Sequence, residues 1–404
     1  MKILYLTQWF DPEPGVIKGV DFVRALGAAG HEVTVVTGLP NYPTGRIYPG
    51  YRFRLFQTEE IDGVRVERLP LYPSHSTSSL GRALNFLSFF VSALLYGLLR
   101  GGRYDLAYVY HPPITVGLAA ALFGPLRRLP FVLEIQDLWP DTVVTSGMTG
   151  TSRLASVLSG LCNFTYRRAR AIVLQSEGMR TRLIERGTPA AKLHVIRNWA
   201  DANALARPAA ERTALGFGDG FALVYGGNLG RMQALDTAID AMQRFAARGG
   251  TGDLYLIGDG IEREALQAHA ARIGANNVHF VDRMPQNEVV RWYAAADALL
   301  LHIARDPLFE ITIPSKTQFY LAAGKAIVAG IDGEAAAILR ASGAAMLAPP
   351  QDADALCDAI TAMAAASPAE RDAMGERGAG YYRRMLGFEA GIAATLEVIA
   401  AAAR

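Results

Sequence analysis

Short apolar runs alternate with longer amphipathic stretches from the start of the chain. Such runs predict strands that are buried on both faces, as in parallel sheets. In the first half they are Lys2–Thr7, Glu32–Thr37, Val64–Leu69, Leu106–Val109, Phe131–Ile135, Ala171–Leu174 and Leu193–Ile196. Most of the intervening stretches have a helical pattern, beginning with Val20–Ala29, which Gly30 ends. The alternation predicts a doubly wound α/β domain.

The alternation of strand and helix patterns is interrupted once and then resumes. An Ala-, Pro- and Asp-rich stretch, 198–220, shows no strand pattern and is interpreted as a linker. After it come strands at Phe221–Tyr225, Leu254–Ile257, His279–Phe280, Ala298–Leu301 and Ala326–Ala329, with helices at Ala234–Ala247 and Glu262–Ile273.

Two successive series predict two Rossmann-like domains with parallel sheets. We expect them at 1–200 and 201–384, with the final helix, about 385–404, packing back on the first domain. Ligands of such sheets bind at the carboxyl ends of the strands. A central cleft faced by both domains is therefore the expected place for a ligand.

Composition and charge change this picture only slightly. The chain of 404 residues is 51% hydrophobic and 19% charged, which describes a globular protein. Residues 1–200 hold 22 Lys+Arg against 14 Asp+Glu, whereas the remainder holds 18 against 24. The basic half suggests contact with phosphates or an anionic membrane, although chance variation of the surface is the alternative.

Cysteine usage and the amino terminus favour the cytoplasm. Cys162 and Cys357 lie far apart and form no CxxC pair, so neither a disulfide framework nor a zinc site is legible. The opening residues have the pattern of a first strand and not of a signal peptide.

One uncharged segment, 83–99, departs from the globular pattern, and Arg82 and Arg100 bracket it. It is at the short limit for crossing a bilayer, which takes about 20 residues. Asn85 and two serines lower its hydrophobicity further. Three interpretations stay open: a helix packed on the protein, a helix lying in a membrane interface, and a spanning helix.

The strongest local motif is VYGGNLGR at Val224–Arg231, where a strand runs into three glycines and a helix start. Glycines let backbone amides approach a phosphate, and a helix start favours an anion. Arg231 could hold phosphate oxygens through two hydrogen bonds. A merely tight strand–helix turn is the alternative.

Two further loops of the second half could complete a nucleotide site. Ile257–Gly260 reads IGDG, and its alternative interpretation is an Asp-Gly turn. Phe309–Gly324 reads FEITIPSKTQFYLAAG, in which Lys316 stands near a helix start, an unfavourable place for a cation unless an anion neutralises it. Glu310 suits hydrogen bonds to sugar hydroxyls because it accepts on two oxygens.

Four positions in the first half are candidates for the opposite wall of the cleft. Gly15–Gly19 follows the first strand and could donate to a diphosphate, unless it is a plain surface loop. His111 ends one strand, and Glu134 and Asp137 end the next, so all three are expected at the same sheet edge. Structural roles, such as a turn cap for Asp137, are the alternatives.

Together, YGGNLGR, IGDGIEREAL, Glu310 with PSKTQFYLAAGK, and EIQDLWPD resemble the retaining family 4 glycosyltransferases of the GT-B fold. The similarity is closest to the branch that builds bacterial O-antigen, capsule or exopolysaccharide. It runs through nearly the whole chain, and the order of the motifs is more specific than any one of them.

The resemblance implies roles for individual residues. Arg231 and Lys316 would hold the charge of the donor diphosphate, Glu310 would contact the donor sugar, and His111 would lie beside the reacting sugar. Glu134 and Asp137 would lie on the acceptor side. The donor-binding set would be Gly19, Gly227, Asn228, Gly258, Asp259, Gly260, Arg283, Pro314, Ser315 and Gln318.

Two positions depart from the family pattern. The family's second glutamate, which grips the ribose, is replaced here by Gln318 or Phe319, depending on the direction of counting. The lysine that commonly follows the arginine position is absent, with Gln233 about where it would be. Lys316 would then carry more of the diphosphate charge.

The resemblance also implies the reaction and its partners. By this resemblance a sugar would pass, with retention, from a UDP-hexose or UDP-N-acetylated sugar to a polyprenyl-diphosphate-linked saccharide. The enzyme would be peripheral on the inner face of the cytoplasmic membrane, and no cofactor, metal or nucleic acid would be required. Asp352 and Asp354 are interpreted as helix capping rather than as a metal motif.

Other activities remain open at this point. A nucleotide-sugar epimerase can share the fold, and a non-catalytic binder would be consistent with the missing glutamate. A dehydrogenase is disfavoured because no GxGxxG with a following acidic residue is present.

Overall fold

The computed structural model describes residues 1–74, 79–111, 113–141, 152–201, 205 and 211–404, without the side chains of Ser79, His111 and 152–154. The chain divides into two compact units. The first unit is Met1–Arg197 together with Gly391–Arg404, and the second unit is Asn198–Ala390.

The first unit is built on an eight-stranded sheet. Its strands are β1 (Lys2–Thr7), β2 (Glu32–Gly38), β3 (Gln57–Ile61), β4 (Val64–Leu69), β5 (Leu106–His111), β6 (Phe131–Ile135), β7 (Ala171–Leu174) and β8 (Leu193–Val195). They lie in the order β3-β4-β2-β1-β5-β6-β7-β8, and only the β3–β4 pair is antiparallel. The strand order reverses between β1 and β5, which is where open α/β sheets bind ligands.

Helices surround this sheet. They are α1 (Val20–Ala28), α2 (Ser79–Arg100), α3 (Ile114–Arg127), α4 (Ser152–Arg168) and α5 (Glu177–Glu185). The uncharged segment of the sequence lies within α2. A glycine allows α2 to approach α3, because a Cβ at Gly97 would overlap the ring of Phe123.

The second unit has six parallel strands. They are β9 (Phe221–Gly226), β10 (Gly252–Ile257), β11 (Val278–Val281), β12 (Ala298–His302), β13 (Ile327–Gly330) and β14 (Ala345–Ala348). Their order, β11-β10-β9-β12-β13-β14, is the dinucleotide-fold order, with the reversal between β9 and β12.

The helices of the second unit alternate with these strands. They are α6 (Leu235–Ala247), α7 (Arg263–Ile273), α8 (Gln286–Ala295), α9 (Pro307–Glu310), α10 (Ser315–Ala322), α11 (Gly333–Ser342), α12 (Ala353–Ala365) and α13 (Pro368–Met385), followed by α14 (Phe388–Ala402). From Gly391 onwards α14 belongs to the first unit. Asp352 caps α12, since its Oδ1 accepts from the Ala355 amide at 2.9 Å, which confirms the capping interpretation for Asp352, whereas Asp354 pairs with Arg244 at 2.8 Å.

The predicted fold class, two Rossmann-like parallel-sheet domains, is confirmed, and the sequence prediction missed two strands. The edge strand β3 has a partly exposed, acidic sequence, QTEEI, that lacks the apolar run used to recognise strands. The strand β14 is short and partly exposed, and its sequence AMLA is typical of helices as much as of strands.

Candidate functional site

The glycine loops after β9 and β10 pack directly against each other in the second unit. Gly227 and Gly258 have φ of +143° and +144°, a backbone conformation that favours glycine. A Cβ on Gly258 would overlap the carbonyl oxygen of Gly227, and one on Gly260 would overlap that of Leu229. The Gly227 amide donates to the Ile257 carbonyl at 2.9 Å. The two predicted loops therefore form one surface of bare backbone.

Lys316 lies on this surface. It stands in the first turn of α10, and its Nζ is 4.8 Å from the centroid of the Tyr225 ring. A Cβ on Gly227 would lie 2.6 Å from that Nζ, so the lysine tip lies directly against the glycine backbone. Burial lowers the pKa of Lys316 to about 8. Among the described residues Lys316 has no carboxylate partner. A half-buried cation without a counter-ion is suited to bind an anionic ligand.

The start of α10 adds to this preference for an anion. Pro314 precedes the helix, and no side chain caps its amide groups. The amide groups of the first turn and the positive end of the helix dipole therefore reinforce the charge of Lys316. Pro314 and Ser315, which the sequence assigns to donor binding, are the residues that form this helix start.

Arg231 lies beside the glycine loops but is held by an acidic partner. Its Nε donates to Glu262 Oε1 at 2.8 Å, while its side chain remains 82% exposed. Since Glu262 directly precedes α7, the ion pair joins the Gly227 loop to the IGDG loop. The guanidinium keeps its other donors available to a ligand.

Gln233, which stands at the position expected for a lysine, stabilises its own loop. Its Oε1 accepts from the Gly230 amide at 3.2 Å and from Asn228 Nδ2 at 3.5 Å. The predicted donor residue Asn228 thus has its amide directed into the loop. No cation replaces the family lysine at this position.

Of three other predicted residues, Asp259 belongs to this pair of loops, since its carbonyl accepts from the Leu229 amide at 2.9 Å, while Glu310 and Arg283 lie outside it. Asp259 Oδ1 accepts from the Gly260 amide at 2.8 Å, as an Asp-Gly turn would. Glu310 ends α9 with an exposed side chain, and Arg283 is exposed after β11. Among the described residues neither Glu310 nor Arg283 contacts Lys316 or the glycine loops through a hydrogen bond or ion pair.

The structure distinguishes the two candidates for the missing glutamate. Gln318 is 3% exposed, and its amide, oriented so that its partners are satisfied, donates to the Pro314 carbonyl at 2.9 Å. Phe319 packs edge-on against Tyr293 with ring centroids 6.0 Å apart. Both side chains serve packing or bonding within the second unit, and neither presents a carboxylate to a ribose.

Two residues near this surface were missed by the sequence reasoning. Tyr225 supplies the ring beneath Lys316 and donates through its hydroxyl to the Asn228 carbonyl at 2.7 Å. His302 ends β12, and its Nδ1 donates to the Gln233 carbonyl at 2.7 Å, while its Nε2 accepts from the Gln351 amide at 3.3 Å. Burial lowers the pKa of His302, which favours this neutral tautomer. Its place at the carboxyl end of a strand was the available signal.

In the first unit, Gly19 is covered by a side chain of the protein itself. Asp11 Oδ2 accepts from the Val20 amide at the start of α1 at 2.9 Å. A Cβ on Gly19 would overlap that same carboxylate oxygen. A diphosphate approaching Gly19 would therefore have to compete with Asp11.

Glu134 lies in the core of the first unit. Its carboxylate pairs with Lys18 Nζ at 2.6 Å, and neither side chain has exposed surface. It also accepts from the Tyr108 hydroxyl and from Gln136 Nε2 at 2.7 Å. In this structure the Glu134 side chain has no exposed surface, and its role on the acceptor side stays a prediction. Its geometry instead fixes Lys18 and the adjoining loop after β1.

Asp137 has the opposite environment. It is half-buried, and burial raises the pKa of its carboxyl group. No hydrogen bond or ion pair of its side chain is found among the described residues. His111 ends β5 beside β6, but its side chain lies outside the described residues. Asp137 is thus the acidic group of this edge that remains available to a ligand.

Family models match both parts of the chain. Residues 20–199 match a glycosyl transferase 4-like domain, and residues 220–366 match glycosyl transferases group 1. The chain is 28% identical over 348 residues to WcaI of Escherichia coli (strain K12), named for glycosyl transfer in colanic acid biosynthesis, covering 80% of the chain and 82% of WcaI. It is 25% identical over 289 residues to the glycosyltransferase WbjE of Pseudomonas aeruginosa. That alignment covers 70% of this chain and 71% of WbjE.

Solved structures share the fold at lower identity. Anabaena Alr3699/HepE in complex with UDP superposes with a TM-score of 0.71 at 17% identity over 99% of the chain and 100% of that protein. The structure described as trehalose-6-phosphate from E. coli bound with UDP-2-fluoro glucose superposes with a TM-score of 0.72 at 14% identity, over 100% of this chain and 99% of that protein. The solved structures show the fold, and the family models and the two named relatives support a glycosyltransferase over the epimerase, dehydrogenase and non-catalytic alternatives. The chain belongs to the family 4 glycosyltransferases with the GT-B fold.

Proposed function

We propose that this glycosyltransferase moves a sugar from a UDP-linked donor to a lipid-linked saccharide, with retention, at the inner face of the cytoplasmic membrane. The observation that carries the donor part is the uncompensated charge of Lys316 beside two bare glycine loops. A diphosphate supplies the two negative charges that such a surface lacks.

The same surface is suited to the chemistry of transfer. Breaking the bond from the anomeric carbon to the diphosphate leaves negative charge on the departing nucleotide. Lys316, the start of α10 and Arg231 would stabilise that charge without reorganising, and removal of one such contact typically costs 10²–10³-fold in rate. Glu310 would orient the donor sugar, Arg283 the nucleoside, and His111 would contact the reacting sugar.

UDP is the proposed nucleotide because the two structural neighbours hold UDP and UDP-2-fluoro glucose. A thermal-shift panel with UDP, GDP, ADP, CMP and NAD tests it. Ligand at 100 times its dissociation constant stabilises a folded protein by about 2.7 kcal/mol. A selective rise with UDP is expected, and a response to NAD alone, or to no nucleoside diphosphate, would contradict the proposal.

The membrane part of the proposal rests on α2. Large aliphatic side chains recur on one face at intervals of three and four residues, and each is 43–77% exposed; this leucine stripe is Leu80, Leu84, Leu87, Val91, Leu95 and Leu99. On α3, Leu126 is 73% exposed, next to the exposed Arg127 and Arg128. Apolar side chains beside arginines suit the interface of an anionic membrane.

The opposite face of α2 is committed to the protein, which favours a helix lying on the membrane over one crossing it. Among the described residues Leu80–Arg103 and Pro368–Ala402 are long and apolar enough to span by length and composition alone. Yet Asn85, Phe89 and Ala93 are buried in the first unit. Asn85 Nδ2 donates to the Tyr72 carbonyl at 2.7 Å, and Ser92 donates to Pro70 at the same distance.

Vesicle flotation tests the membrane part separately. Wild-type protein should float with phosphatidylglycerol-rich vesicles and much less with phosphatidylcholine vesicles. The double variant Leu87→Glu/Leu95→Glu should lose most of this binding. Ile261→Glu alters a more exposed aliphatic residue of the second unit, 81% exposed, and should float like the wild type. Equal flotation of all three proteins would contradict the assignment of α2.

A further inference from the structure

A buried histidine, His302, stands where two loops and a strand of the second unit meet. It is the last residue of β12, and its side chain is 4% exposed. One side of the ring faces the 3₁₀ turn Arg231–Gln233, which follows the glycine loop after β9. The other side faces Gln351, which follows β14. A Cβ on Gly330 would overlap the ring, so the backbone of β13 lies directly against it.

The two hydrogen bonds of the ring require one protonation state. The Gln233 carbonyl can only accept, and it lies 2.7 Å from Nδ1, so Nδ1 carries the proton. The Gln351 amide can only donate, and it lies 3.3 Å from Nε2, so Nε2 keeps its lone pair. His302 is therefore a neutral ring that donates to the first loop and accepts from the second.

The donated bond holds the turn that begins with the arginine of the proposed diphosphate site. The Gln233 carbonyl accepts from His302, and the Gln233 side chain accepts from the Gly230 amide at 3.2 Å. The preceding carbonyl, that of Met232, accepts from the Ala304 amide at 2.8 Å. Two successive carbonyls of the turn are thus bonded to residues at the end of β12. Through Gln233, the same bonds reach the glycine loop.

The accepted bond fixes the orientation of the ring. Gln351 is itself held, because its Oε1 accepts from the Arg305 amide at 2.8 Å. The partner of one ring nitrogen determines which of the two nitrogens carries the proton, so the Gln351 amide selects the tautomer that can donate to Gln233. The loop after β14 therefore prepares His302 for its contact with the turn.

We propose that His302 is a positioning residue of the donor site, whose imidazole fixes the turn that carries Arg231 against the end of β12. This inference rests on the proposed function, in which Arg231 holds the donor diphosphate. His302 acts through backbone groups, because its side chain has almost no exposed surface with which to touch a ligand. A turn that is fixed before the donor arrives loses less entropy when the donor binds.

The two bonds of the ring can be removed separately. In His302→Asn the amide nitrogen takes the place of Nδ1, one bond beyond Cγ, and keeps the donor to the Gln233 carbonyl. In His302→Gln the amide oxygen reaches the place of Nε2, keeps the acceptor for Gln351 and leaves the Gln233 carbonyl without its donor. In calorimetric titration with UDP, Kd should rise less than about threefold for His302→Asn and about tenfold for His302→Gln.

A purely structural role of His302 predicts a different result. Each substitution removes one bond at a buried position, so both variants should be less stable in urea than the wild type. Only a positioning role separates their affinities for UDP. His279→Asn is the matched control, because His279 lies on β11 with its Nε2 2.8 Å from Asp253 Oδ1, outside the proposed site, and it should bind UDP like the wild type.

The same titrations distinguish the failure of the two proposals. If the wild type does not bind UDP, the proposed function fails. If the wild type binds UDP but His302→Asn and His302→Gln bind it equally, or His302→Gln binds it more tightly, only the inference about His302 is overturned.

A double-variant experiment tests whether His302 acts through Arg231. In the Arg231→Ala background, His302→Gln should weaken UDP binding less than about threefold, because the turn no longer carries the arginine that His302 positions. A loss as large as in the wild-type background would overturn the inference.

A measurement on the wild type does not depend on the folding of a His302→Gln variant. The ¹⁵N spectrum of the histidine side chains reports which ring nitrogen is protonated, and the signal absent from His302→Asn identifies His302. We expect the tautomer with the proton on Nδ1. A proton on Nε2 instead would leave no donor for the Gln233 carbonyl and would contradict the proposed role.

Discussion

Both units contain a lysine close to a glycine at the carboxyl edge of a parallel sheet, and the two lysines differ in their counter-ions. In the first unit Lys18 is fully buried on Glu134, and Asp11 occupies the start of α1. In the second unit Lys316 lies on glycine backbone, and no carboxylate pairs with it among the described residues. The charge of Lys18 is neutralised by a carboxylate of the protein, whereas the charge of Lys316 can be neutralised by an anionic ligand.

This difference shows that a glycine-and-lysine loop is not by itself a phosphate site. In sequence, GVIKG and the PSK turn offered similar evidence for anion binding. The two loops differ in whether a carboxylate lies next to the lysine. The sequence does not reveal this difference, because Glu134 is distant from Lys18 in the chain. The predictions below test whether the counter-ion decides between a structural and a ligand-binding role.

The largest effect is expected from removing the internal counter-ion. Glu134→Ala leaves the charge of Lys18 buried and unpaired, which should lower the free energy of unfolding by about 3–5 kcal/mol. Urea denaturation measures this loss. The double variant Lys18→Met/Glu134→Leu removes both charges and should recover most of the stability. A single variant as stable as the wild type would show that the pair is not the anchor of this loop.

In the second unit, removing the lysine should affect activity and not stability. Lys316→Met keeps an unbranched chain over Tyr225 and removes the charge, so kcat/KM for transfer should fall about 100–1,000-fold. Lys325→Met is the matched control, because Lys325 donates to the Ala296 carbonyl at 2.9 Å and plays no part in the proposed site. Near-normal turnover of Lys316→Met, with an intact denaturation curve, would refute the donor assignment.

The pH dependence of UDP binding tests whether the charge of Lys316 contributes to donor binding. With a pKa of about 8, Lys316 is protonated below that pH and loses its charge as the pH rises through it. The UDP diphosphate stays ionised between pH 7 and 9, so Kd should rise about tenfold over this range, equivalent to about 1.4 kcal/mol. Calorimetric titration of wild type and Lys316→Met checks this, since the variant should show no such rise.

The smallest effect concerns the departure from the family pattern. Gln318→Glu restores a carboxylate but removes the amide donor to the Pro314 carbonyl. It should cost about 1–3 kcal/mol of stability without tightening UDP binding. Thermal unfolding and UDP titration measure the two quantities. A marked gain in UDP affinity would mean that this side chain reaches the ribose after all.

The fold was predictable because parallel strands leave strong local patterns. The core strands β1, β6 and β9 are near-continuous apolar runs, interrupted in β6 by the buried Glu134, and the sequence located them almost to the residue. The strand β3 was missed because its pairing with β4 is set by neighbours and not by its own composition.

The candidate site was predictable only as a set of residue types. The glycine loops and Lys316 could be named from the sequence, but their mutual contact depends on strand order. The burial of Glu134 and the loop-internal bonding of Gln318 arise from partners that no local pattern reveals. The ring of Tyr225 beneath Lys316 was missed because it reads as an ordinary core residue of β9.

The contact between Gly227 and Gly258 has a consequence for the engineering of this enzyme. Any side chain at Gly258 would displace the carbonyl of Gly227. A substitution in one loop therefore requires a compensating change in the other. Laboratory selection for a new donor should therefore find its solutions at exposed neighbours such as Arg283 and Glu310. Gly227 and Gly258 should remain unchanged through successive rounds of selection, while the surrounding positions accumulate substitutions.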